Sequence, residues 1–244
     1  MAPVFKELRF AASLARPFAS VLFARHWRGA PVHLPIVYFD ITHRCNSACR
    51  SCHFWKTGKR AAGELSTDEI VGMIPSLRRL RTRVVSIGGG EPTLRSDLET
   101  VIAALRDAGF AVHLNTHGLQ IDEGRARSLA DAGLSMVYIS CDHADREGYR
   151  AIRGVDGLPK VVRAIRAFRS LPAPVPVGIN VTVLKPNVND LAPLADFLTG
   201  LDVQKYSLRR FTPRCSNGSW NGRRSRISCR PRGSGRTRRK RSAT

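Results

Sequence analysis

The chain has 244 residues, of which 43% are hydrophobic, and a formal net charge of +21 at pH 7. This length and apolar content fit a single α/β domain with one sizeable core, and no apolar stretch is long enough to cross a bilayer. The N-terminus lacks the layout of a signal peptide, so we expect a cytoplasmic protein whose six cysteines serve metal or redox chemistry rather than disulfides.

Residues 5–26 carry apolar side chains at a roughly helical period, with basic residues between them. The pattern predicts an amphipathic helix within an N-terminal segment, residues 1–33. Two roles remain open for this helix. It either packs against the following domain or lies on a membrane surface, which its basic residues would also suit.

Strands and helices alternate through a predicted domain at residues 34–213. Runs rich in β-branched and apolar residues predict six strands, at 36–41, 84–87, 110–114, 134–140, 177–184 and 203–208. Helices are predicted at 66–80 and 122–132, at 158–169 and 190–199, and from a capping box at 96–99 to Gly109. A second capping box opens the helix at Ser66, and Pro75 is expected to kink it.

This alternation predicts a parallel sheet with crossover helices. The count of strands does not separate an open doubly wound sheet from a partial barrel. In both architectures a functional site lies at the carboxyl ends of the strands, and each unusual residue cluster of this chain falls at such an end.

Three cysteines follow the first predicted strand, as Cys45, Cys49 and Cys52 in the spacing CxxxCxxC. Three thiolates on one short loop can bind three irons of a [4Fe–4S] cluster and leave the fourth iron open to a small chelating ligand. The spacing alone leaves two alternatives. The thiols carry no metal, or His43 or His53 completes a Cys₃His zinc site.

A glycine run follows the second predicted strand, where residues 88–92 read GGGEP. Glycine permits positive φ angles and a close approach of a ligand to the backbone, although a tight turn alone also uses such a run. The cysteine motif and this run together resemble the radical S-adenosylmethionine (radical SAM) superfamily, over roughly residues 34–212. The resemblance implies a six-stranded parallel (β/α)6 partial TIM-type barrel, a [4Fe–4S] cluster on the three cysteines, and S-adenosylmethionine as a second cofactor.

The resemblance also implies cofactor-binding residues. In the family, the backbone and the acidic residue of the glycine motif bind the methionine amino group, which assigns that role to Gly89, Gly90, Glu91 and Pro92. The sequence departs from the family at Ser51, where an aromatic residue often precedes the third cysteine. The aromatic pair at 54–55 follows closely and is expected to cover the cluster.

Polar residues close the later strands. We interpret Asn115, Ser140 and Asp142 as residues that contact the ribose and methionine groups. The alternative for Asp142 is that it is a solvent-exposed polar residue at the start of a loop. Asn180 is either a ligand contact or a satisfied buried amide. Cys141 is either a small core thiol or a hydrogen-atom donor to a substrate radical. Arg153, in a segment that resembles a common family loop, either meets a carboxylate or faces water.

The activity implied by the resemblance is reductive cleavage of S-adenosylmethionine to a 5′-deoxyadenosyl radical, with flavodoxin or ferredoxin as the electron donor. The substrate is a small molecule, a lipid or a peptide. Residues 53–56 resemble a subgroup related to cofactor-maturation, peptide-modifying and hopanoid-modifying enzymes, and the amphipathic N-terminus favours a lipid-associated substrate.

The last segment, residues 214–244, holds eleven of the 40 Lys and Arg residues and no acidic residue. Its lack of apolar periodicity predicts a disordered tail. The tail is either a nucleic-acid-binding arm or the product of a frameshifted or truncated gene end, and Cys215 and Cys229 would be the ligands of any second cluster. A nucleic-acid-binding protein, or a catalytically inactive iron–sulfur or zinc protein, is the alternative to a radical SAM enzyme, although neither needs the glycine motif.

Overall fold

The computed structural model describes residues 33–57, 63–203 and 205–210, together with the isolated helical positions Ala15, Ala19 and Leu22. The predicted N-terminal helix otherwise lies outside the described residues, and so do the basic tail, Cys215 and Cys229. Within the part of the chain that is described, no helix has both the length and the apolar character needed to cross a membrane.

Six parallel strands form one sheet. They are β1 (Ile36–Thr42), β2 (Val84–Gly89), β3 (Ala111–Thr116), β4 (Met136–Ser140), β5 (Val177–Val183) and β6 (Lys205–Arg210). Each predicted strand is present, with its ends within two residues of the expected positions. The predicted parallel sheet is therefore confirmed.

The strand order across the sheet is β1-β2-β3-β4-β5-β6. A doubly wound sheet reverses its order at a switch point, and this sheet has no such reversal. Each crossover returns to the next strand on the same side, so right-handed connections place the helices on one face. This topology selects the partial barrel from the two architectures that the sequence left open.

The two faces of the sheet differ in chemistry because side chains alternate along each strand. Strand residues on the helix-covered face are apolar and fully buried, for example Ile87, Leu114 and Ile139. The intervening residues, which form the inner face, are largely polar. On the first strand, Tyr38 and Asp40 are exposed residues of this inner face.

Eight α-helices are described. They are α1 (Phe54–Thr57), α2 (Thr67–Gly72), α3 (Ile74–Arg79), α4 (Leu98–Asp107), α5 (Glu123–Asp131), α6 (Arg146–Arg153), α7 (Leu158–Arg169) and α8 (Leu191–Thr199). The predicted helix at 66–80 is divided at Met73, because Pro75 fits only the first turn of a new helix. The capping box at Ser66 and Glu69 is present.

The predicted capping box at 96–99 is wrong. Helix α4 begins after Asp97, which makes no side-chain hydrogen bond to the helix end. Its carboxylate instead accepts two hydrogen bonds from Arg95, at 2.9 and 2.6 Å, and one from Thr67. The charge-assisted pair with Arg95 outweighs a local cap, and it holds the pKa of Asp97 down at about 2.

Candidate functional site

A pocket of about 380 Å³ opens at the carboxyl ends of the strands. This volume lies in the range of small-molecule sites. Most of the predicted site residues line it, namely Cys45, Cys49, Cys52, Gly89, Gly90, Glu91, Asn115, Ser140 and Asn180. Pro92, Cys141 and Asp142 are not among the residues that line it, whereas Asp40, His117 and Arg153 are.

The cysteine loop rests on the C-terminal end of α6. The Arg50 amide donates to the Ile152 carbonyl at 3.0 Å, and the Ser47 hydroxyl donates to the Arg153 carbonyl at 3.1 Å. A Cβ on Gly154 would lie 2.4 Å from the Ala48 carbonyl oxygen, so only glycine allows the loop to approach this closely. The loop conformation therefore depends on a helix about a hundred residues later in the sequence.

His117 holds the opposite side of the loop. Its Nδ1 accepts from the Leu119 amide at 3.1 Å, so the proton is on Nε2, which donates to Asn46 Oδ1 at 2.6 Å. Nδ1 also lies 3.2 Å from Glu91 Oε2, but burial lowers the pKa of His117, so the ring is neutral and this contact is not an ion pair. The ring thus links the end of β3 to the cysteine loop.

The zinc alternative requires the three cysteines and one histidine to surround a single metal ion. In the described ranges, no three His, Cys, Asp or Glu side chains are grouped closely enough to hold a single metal ion. A zinc ion, with sulfur ligands at about 2.3 Å, requires such a group, whereas a four-iron cluster holds its cysteines farther apart. The His43 and His53 rings instead pack against Phe54, with centroids 5.1 and 5.0 Å away.

The surroundings of Cys45 disfavour its thiolate form. Burial raises the pKa of Cys45 to about 11, and nearby Glu91, Cys49 and Cys52 act in the same direction. A metal ligand must be a thiolate, so bound iron would have to offset this cost. Trp55 covers the loop, since its indole N–H donates to the Cys49 carbonyl at 3.1 Å.

The glycine run lies against the chain that enters the cysteine loop. Gly89 has a φ of +116°, and a Cβ there would lie 2.2 Å from the Thr42 carbonyl oxygen. A Cβ on Gly90 would lie 2.2 Å from the Arg44 carbonyl oxygen. The Gly90 and Glu91 amides donate to these two carbonyls, each at 2.7 Å, so glycine is required for backbone pairing at this position.

Glu91 is fully buried, and its carboxylate already accepts hydrogen bonds from protein groups. Oε1 accepts from the Thr93 amide and hydroxyl and from the Thr116 hydroxyl, and Oε2 accepts from the His117 amide at 2.8 Å. These bonds give the carboxylate the role of holding the turn after β2. Its contact to the cofactor stays a prediction, while the backbone of residues 88–90 lines the pocket.

Asp142 is paired with Arg153. Asp142 is 1% exposed, so solvation of a loop start does not explain it, and Oδ1 accepts from the Thr182 amide at 2.7 Å. Oδ2 lies 2.7 Å from Arg153 Nε, so the two side chains form a buried ion pair. Burial disfavours the charge of Arg153, but acidic neighbours, Asp142 foremost, outweigh it and raise the Arg153 pKa.

Arg153 therefore meets a carboxylate rather than water, and its guanidinium remains turned to the pocket. Nη1 lies 3.9 Å from Cys49 Sγ, a long contact that places a permanent positive charge beside the cysteine loop. The sequence raised the possibility of a carboxylate partner for Arg153 but did not identify it as Asp142. The signals for its placement were Asp145, which caps α6, and Gly154, which ends it with a φ of +70°.

Cys141 belongs to the apolar core. It is 0% exposed, its Sγ lies 3.5 Å from the His143 carbonyl oxygen, and burial raises its pKa to about 12. This environment is that of a small core thiol, the first of the two roles that the sequence left open. The role of hydrogen-atom donor gains no support from this position.

Side-chain amides on neighbouring strands are hydrogen-bonded to each other on the inner face of the sheet. Asn180 donates to Asn115 Oδ1 at 3.0 Å, and Asn115 donates to the Ser86 hydroxyl and the Ile87 carbonyl, both at 2.9 Å. Asn180 is thus a satisfied amide that also lines the pocket. Asp40, which the sequence analysis did not single out, lies near this network, and no other described residue hydrogen-bonds or pairs with its carboxylate. The alternation of β1 was the signal that placed it on this face.

Comparisons with known proteins agree with this geometry. The family model described as "Radical SAM superfamily" matches residues 39–198. The chain is 31% identical over 191 residues to an Fe-coproporphyrin III synthase of Methanosarcina barkeri, covering 75% of this chain and 47% of that protein. It is 36% identical over 154 residues to a probable GTP 3′,8-cyclase of Thermococcus kodakarensis, covering 62% of this chain and 48% of that protein.

Among solved structures, the chain resembles Streptococcus suis SuiB. The TM-score is 0.64 for SuiB bound to S-adenosylmethionine and 0.67 for SuiB bound to its precursor peptide SuiA, with 15% and 16% identity. Each alignment covers 80% of this chain and 43% of SuiB, and it shows the shared fold. The chain spans about half the length of the curated relatives it matches.

Proposed function

Because the chain belongs to the radical SAM superfamily of enzymes, which use a [4Fe–4S] cluster and S-adenosylmethionine, we propose that Cys45, Cys49 and Cys52 hold that cluster in this protein. The adjoining pocket then binds S-adenosylmethionine. The observation that carries the proposal is that one pocket contains both the three cysteines and the backbone of the glycine run. When bound, the two cofactors supply one-electron reduction of the sulfonium, which yields methionine and a 5′-deoxyadenosyl radical.

We assign different residues around the pocket to different groups of S-adenosylmethionine. Arg153 carries a fixed positive charge that Asp142 orients, and a guanidinium suits a carboxylate, so we assign it and Ser140 to the methionine carboxylate. The backbone of residues 88–90 faces the amino group. Asn115 and Asn180, already linked to each other, offer amide groups to the ribose hydroxyls.

The chain also limits access of water to the reactive region. Trp55 and Phe54 pack over the cysteine loop, and Glu91 and His117 close the turn beneath it with buried hydrogen bonds. A reactive radical must be kept from groups other than the substrate, because C–H and S–H bonds of other molecules would quench it. These residues therefore support the chemistry without taking part in it.

The substrate would contact the inner face of the barrel. Asp40 offers a carboxylate to a hydrogen-bond donor or a cation of that substrate. The relatives are named for Fe-coproporphyrin III and GTP, and SuiB was solved with a precursor peptide, so the superfamily alone does not select the substrate class. An acidic one-electron donor protein, flavodoxin or ferredoxin, would reduce the cluster.

The test is anaerobic reconstitution with iron and sulfide, followed by dithionite and S-adenosylmethionine, with chromatographic detection of 5′-deoxyadenosine. Wild-type protein should form it, and the Cys49→Ala variant, prepared in parallel, should not. A cluster that forms without 5′-deoxyadenosine would contradict cofactor cleavage by this chain. Failure to bind an iron–sulfur cluster would contradict the proposal at its first step.

A further inference from the structure

Arg153 differs from the other arginines of α6 in its surroundings. Its side chain is 11% exposed, whereas Arg146 and Arg150 on the same helix are exposed to solvent. The buried guanidinium lies between two groups, since Nε is 2.7 Å from Asp142 Oδ2 and Nη1 is 3.9 Å from Cys49 Sγ. A charge in this position acts on its neighbours more strongly than an exposed charge does, because less solvent screens it.

The contact between Arg153 and Cys49 has no counterpart at the other two cysteines of the loop. In the part of the chain that the structure describes, no other Lys or Arg side chain is hydrogen-bonded to a cysteine sulfur. Cys49 is also the buried cysteine of the three, since Cys45 and Cys52 are each only partly buried. The positive charge of Arg153 therefore acts on the cysteine that water screens least.

The backbone and the side chain of Arg153 are both held in place. The Arg153 carbonyl accepts from the Ser47 hydroxyl at 3.1 Å, which ties the cysteine loop to this residue. Its partner Asp142 is itself held by the Thr182 amide at 2.7 Å. Burial disfavours a charged guanidinium, but Asp142 and, after it, Cys49 raise the Arg153 pKa, so the charge persists. Arg153 is thus a permanent cation in a fixed position beside Cys49.

A cation in this position changes how readily a bound cluster takes up an electron. Reduction adds one negative charge to the cluster, and a nearby positive charge stabilises the reduced form. Net charge and hydrogen bonds to the cysteine sulfurs are among the factors that set the reduction potential of an iron–sulfur cluster. Arg153 supplies both at Cys49. Asp142 opposes this effect, because its carboxylate cancels part of the Arg153 charge.

We propose that the pair of Arg153 and Asp142 sets the reduction potential of the cluster, with Arg153 raising it through Cys49 and Asp142 lowering it. The proposal rests on the proposed function, because it presumes a cluster on Cys45, Cys49 and Cys52. In the step that the pair controls, the oxidised cluster accepts one electron from an external one-electron reductant, and no bond is formed or broken. Arg153 acts on the cluster before any S-adenosylmethionine is bound, in addition to its assignment to the methionine carboxylate.

The experiment is a redox titration of the reconstituted full-length chain without S-adenosylmethionine, in which electron paramagnetic resonance measures the reduced cluster. Arg153→Gln removes the cation and leaves the Asp142 charge, so the equilibrium constant for reduction should fall roughly 10-fold, a drop of about 59 mV for a one-electron couple. Asp142→Asn leaves the cation without its partner, so this constant should rise roughly 10-fold instead. Arg153→Lys keeps a cation and should stay closer to the wild-type potential than Arg153→Gln does.

The opposite signs of the two shifts distinguish an electrostatic effect from a structural one. A loop that is merely loosened would shift the potential in the same direction in both variants, because each variant removes one partner of the same buried pair. The matched controls are Arg150→Gln and Asp156→Asn, which make the same two changes of charge at exposed positions on α6 and just after it. Both should stay within about 2-fold of the wild-type equilibrium constant, because solvent and salt screen exposed charges.

Three results would overturn the proposal. They are an unchanged potential in Arg153→Gln, shifts of the same sign in Arg153→Gln and Asp142→Asn, or an equal shift in Arg150→Gln. If one of the two variants of the pair binds no cluster, the sign of the shift in the other decides. If neither binds a cluster, the pair serves the fold alone and the proposal is wrong.

Formation of 5′-deoxyadenosine by the wild-type chain separates this proposal from the proposed function. If wild type forms it and all variants share one potential, the role of the pair fails and the proposed function stands. If the potentials shift as expected but wild type forms no 5′-deoxyadenosine, the role of the pair stands and cofactor cleavage fails. A wild-type chain that binds no iron–sulfur cluster would contradict both.

Discussion

Arg153 Nε lies 2.7 Å from Asp142 Oδ2, and this buried pair joins the C-terminal end of α6 to the segment after β4. Removing one partner of a buried pair leaves a charge without compensation. We therefore expect Asp142→Ala to lower the free energy of unfolding by roughly 3–5 kcal/mol. Urea denaturation of the metal-free protein, followed by far-ultraviolet circular dichroism, measures this change.

The control for this prediction is the pair between Arg146 and Asp156, which is exposed. Asp156→Ala removes a carboxylate from water rather than from the interior, so the midpoint of unfolding should change little. A similar loss in both variants would mean that the stability of α6, rather than burial of the Arg153 charge, explains the effect.

Gly90 sets the distance between the end of β2 and the cysteine loop. In Gly90→Ala, the new methyl group would lie 2.2 Å from the Arg44 carbonyl oxygen, so the backbone must move and the loop must shift. We expect the reconstituted variant to hold less than half of the wild-type iron and sulfide, as measured by colorimetric assay. A cost of about 1 kcal/mol or more to the bound state weakens cluster binding roughly 5-fold or more, which lowers the iron and sulfide that the variant retains.

Gly72 offers a matched control, because a Cβ there would have no atom within 4 Å and its φ is not positive. Gly72→Ala should bind iron and sulfide as wild type does and should be as stable or slightly more stable. Full iron content in Gly90→Ala would contradict a steric role for this glycine.

The strands could be predicted because their signals lie close together in the sequence. The strands carry runs of β-branched and apolar residues, so each was found within two residues of its observed ends. Helix α6 was missed, because four of its eight residues are charged and only Tyr149 and Ile152 are buried. Its apolar periodicity is too short to indicate a helix, and its two ends, the N-cap Asp145 and the terminating Gly154, were its local signals.

Two parts of the candidate site could be predicted, because each consists of residues of one type that lie close together in the sequence. The cysteine spacing and the glycine run identified the two neighbouring strand ends. The pairing of Asp142 with Arg153 and the contact of His117 with Asn46 join segments that are distant in the chain, so no local pattern encodes them. The cap predicted at 96–99 failed because the Asp97 carboxylate binds the neighbouring Arg95 side chain, and also the Thr67 hydroxyl thirty residues earlier, instead of the helix end.

Because the thiol of Cys141 is buried, the free energy of unfolding should fall as the pH becomes alkaline. Burial raises its pKa from 9.0 to about 12, so the folded state keeps the thiol neutral while the unfolded chain ionises it. The stabilisation is complete below pH 9 and is lost progressively as the pH rises toward 12. Between pH 7 and pH 10 the ionisation of this one group in the unfolded chain should lower the free energy of unfolding by roughly 1 to 2 kcal/mol.

Cys141→Ala removes that group, so the free energy of unfolding of the metal-free variant should fall by roughly 1 to 2 kcal/mol less than that of wild type over the same pH interval. Cys45 and Tyr149 also have raised pKa values, but they are present in both proteins and cancel in the comparison. Urea titrations at pH 7 and pH 10 supply the two free energies. Equal losses in both proteins would show that the Cys141 thiol is ionised as easily in the folded state as in the unfolded chain.

His117 restrains the cysteine loop through its 2.6 Å hydrogen bond to Asn46, so its removal should loosen the cluster without changing its ligands. Loss of one buried hydrogen bond costs about 1–3 kcal/mol, which corresponds to roughly 10-fold faster release of iron to a chelator from His117→Ala. His113→Ala is the matched control, because His113 is another partly buried histidine whose pKa burial lowers, but it lies lower on β3 and contacts Tyr138. Iron release measured with bathophenanthroline should therefore be faster only in His117→Ala. Equal release rates in the two variants would mean that the loop is held by α6 alone, through the Arg50 amide and the Ser47 hydroxyl.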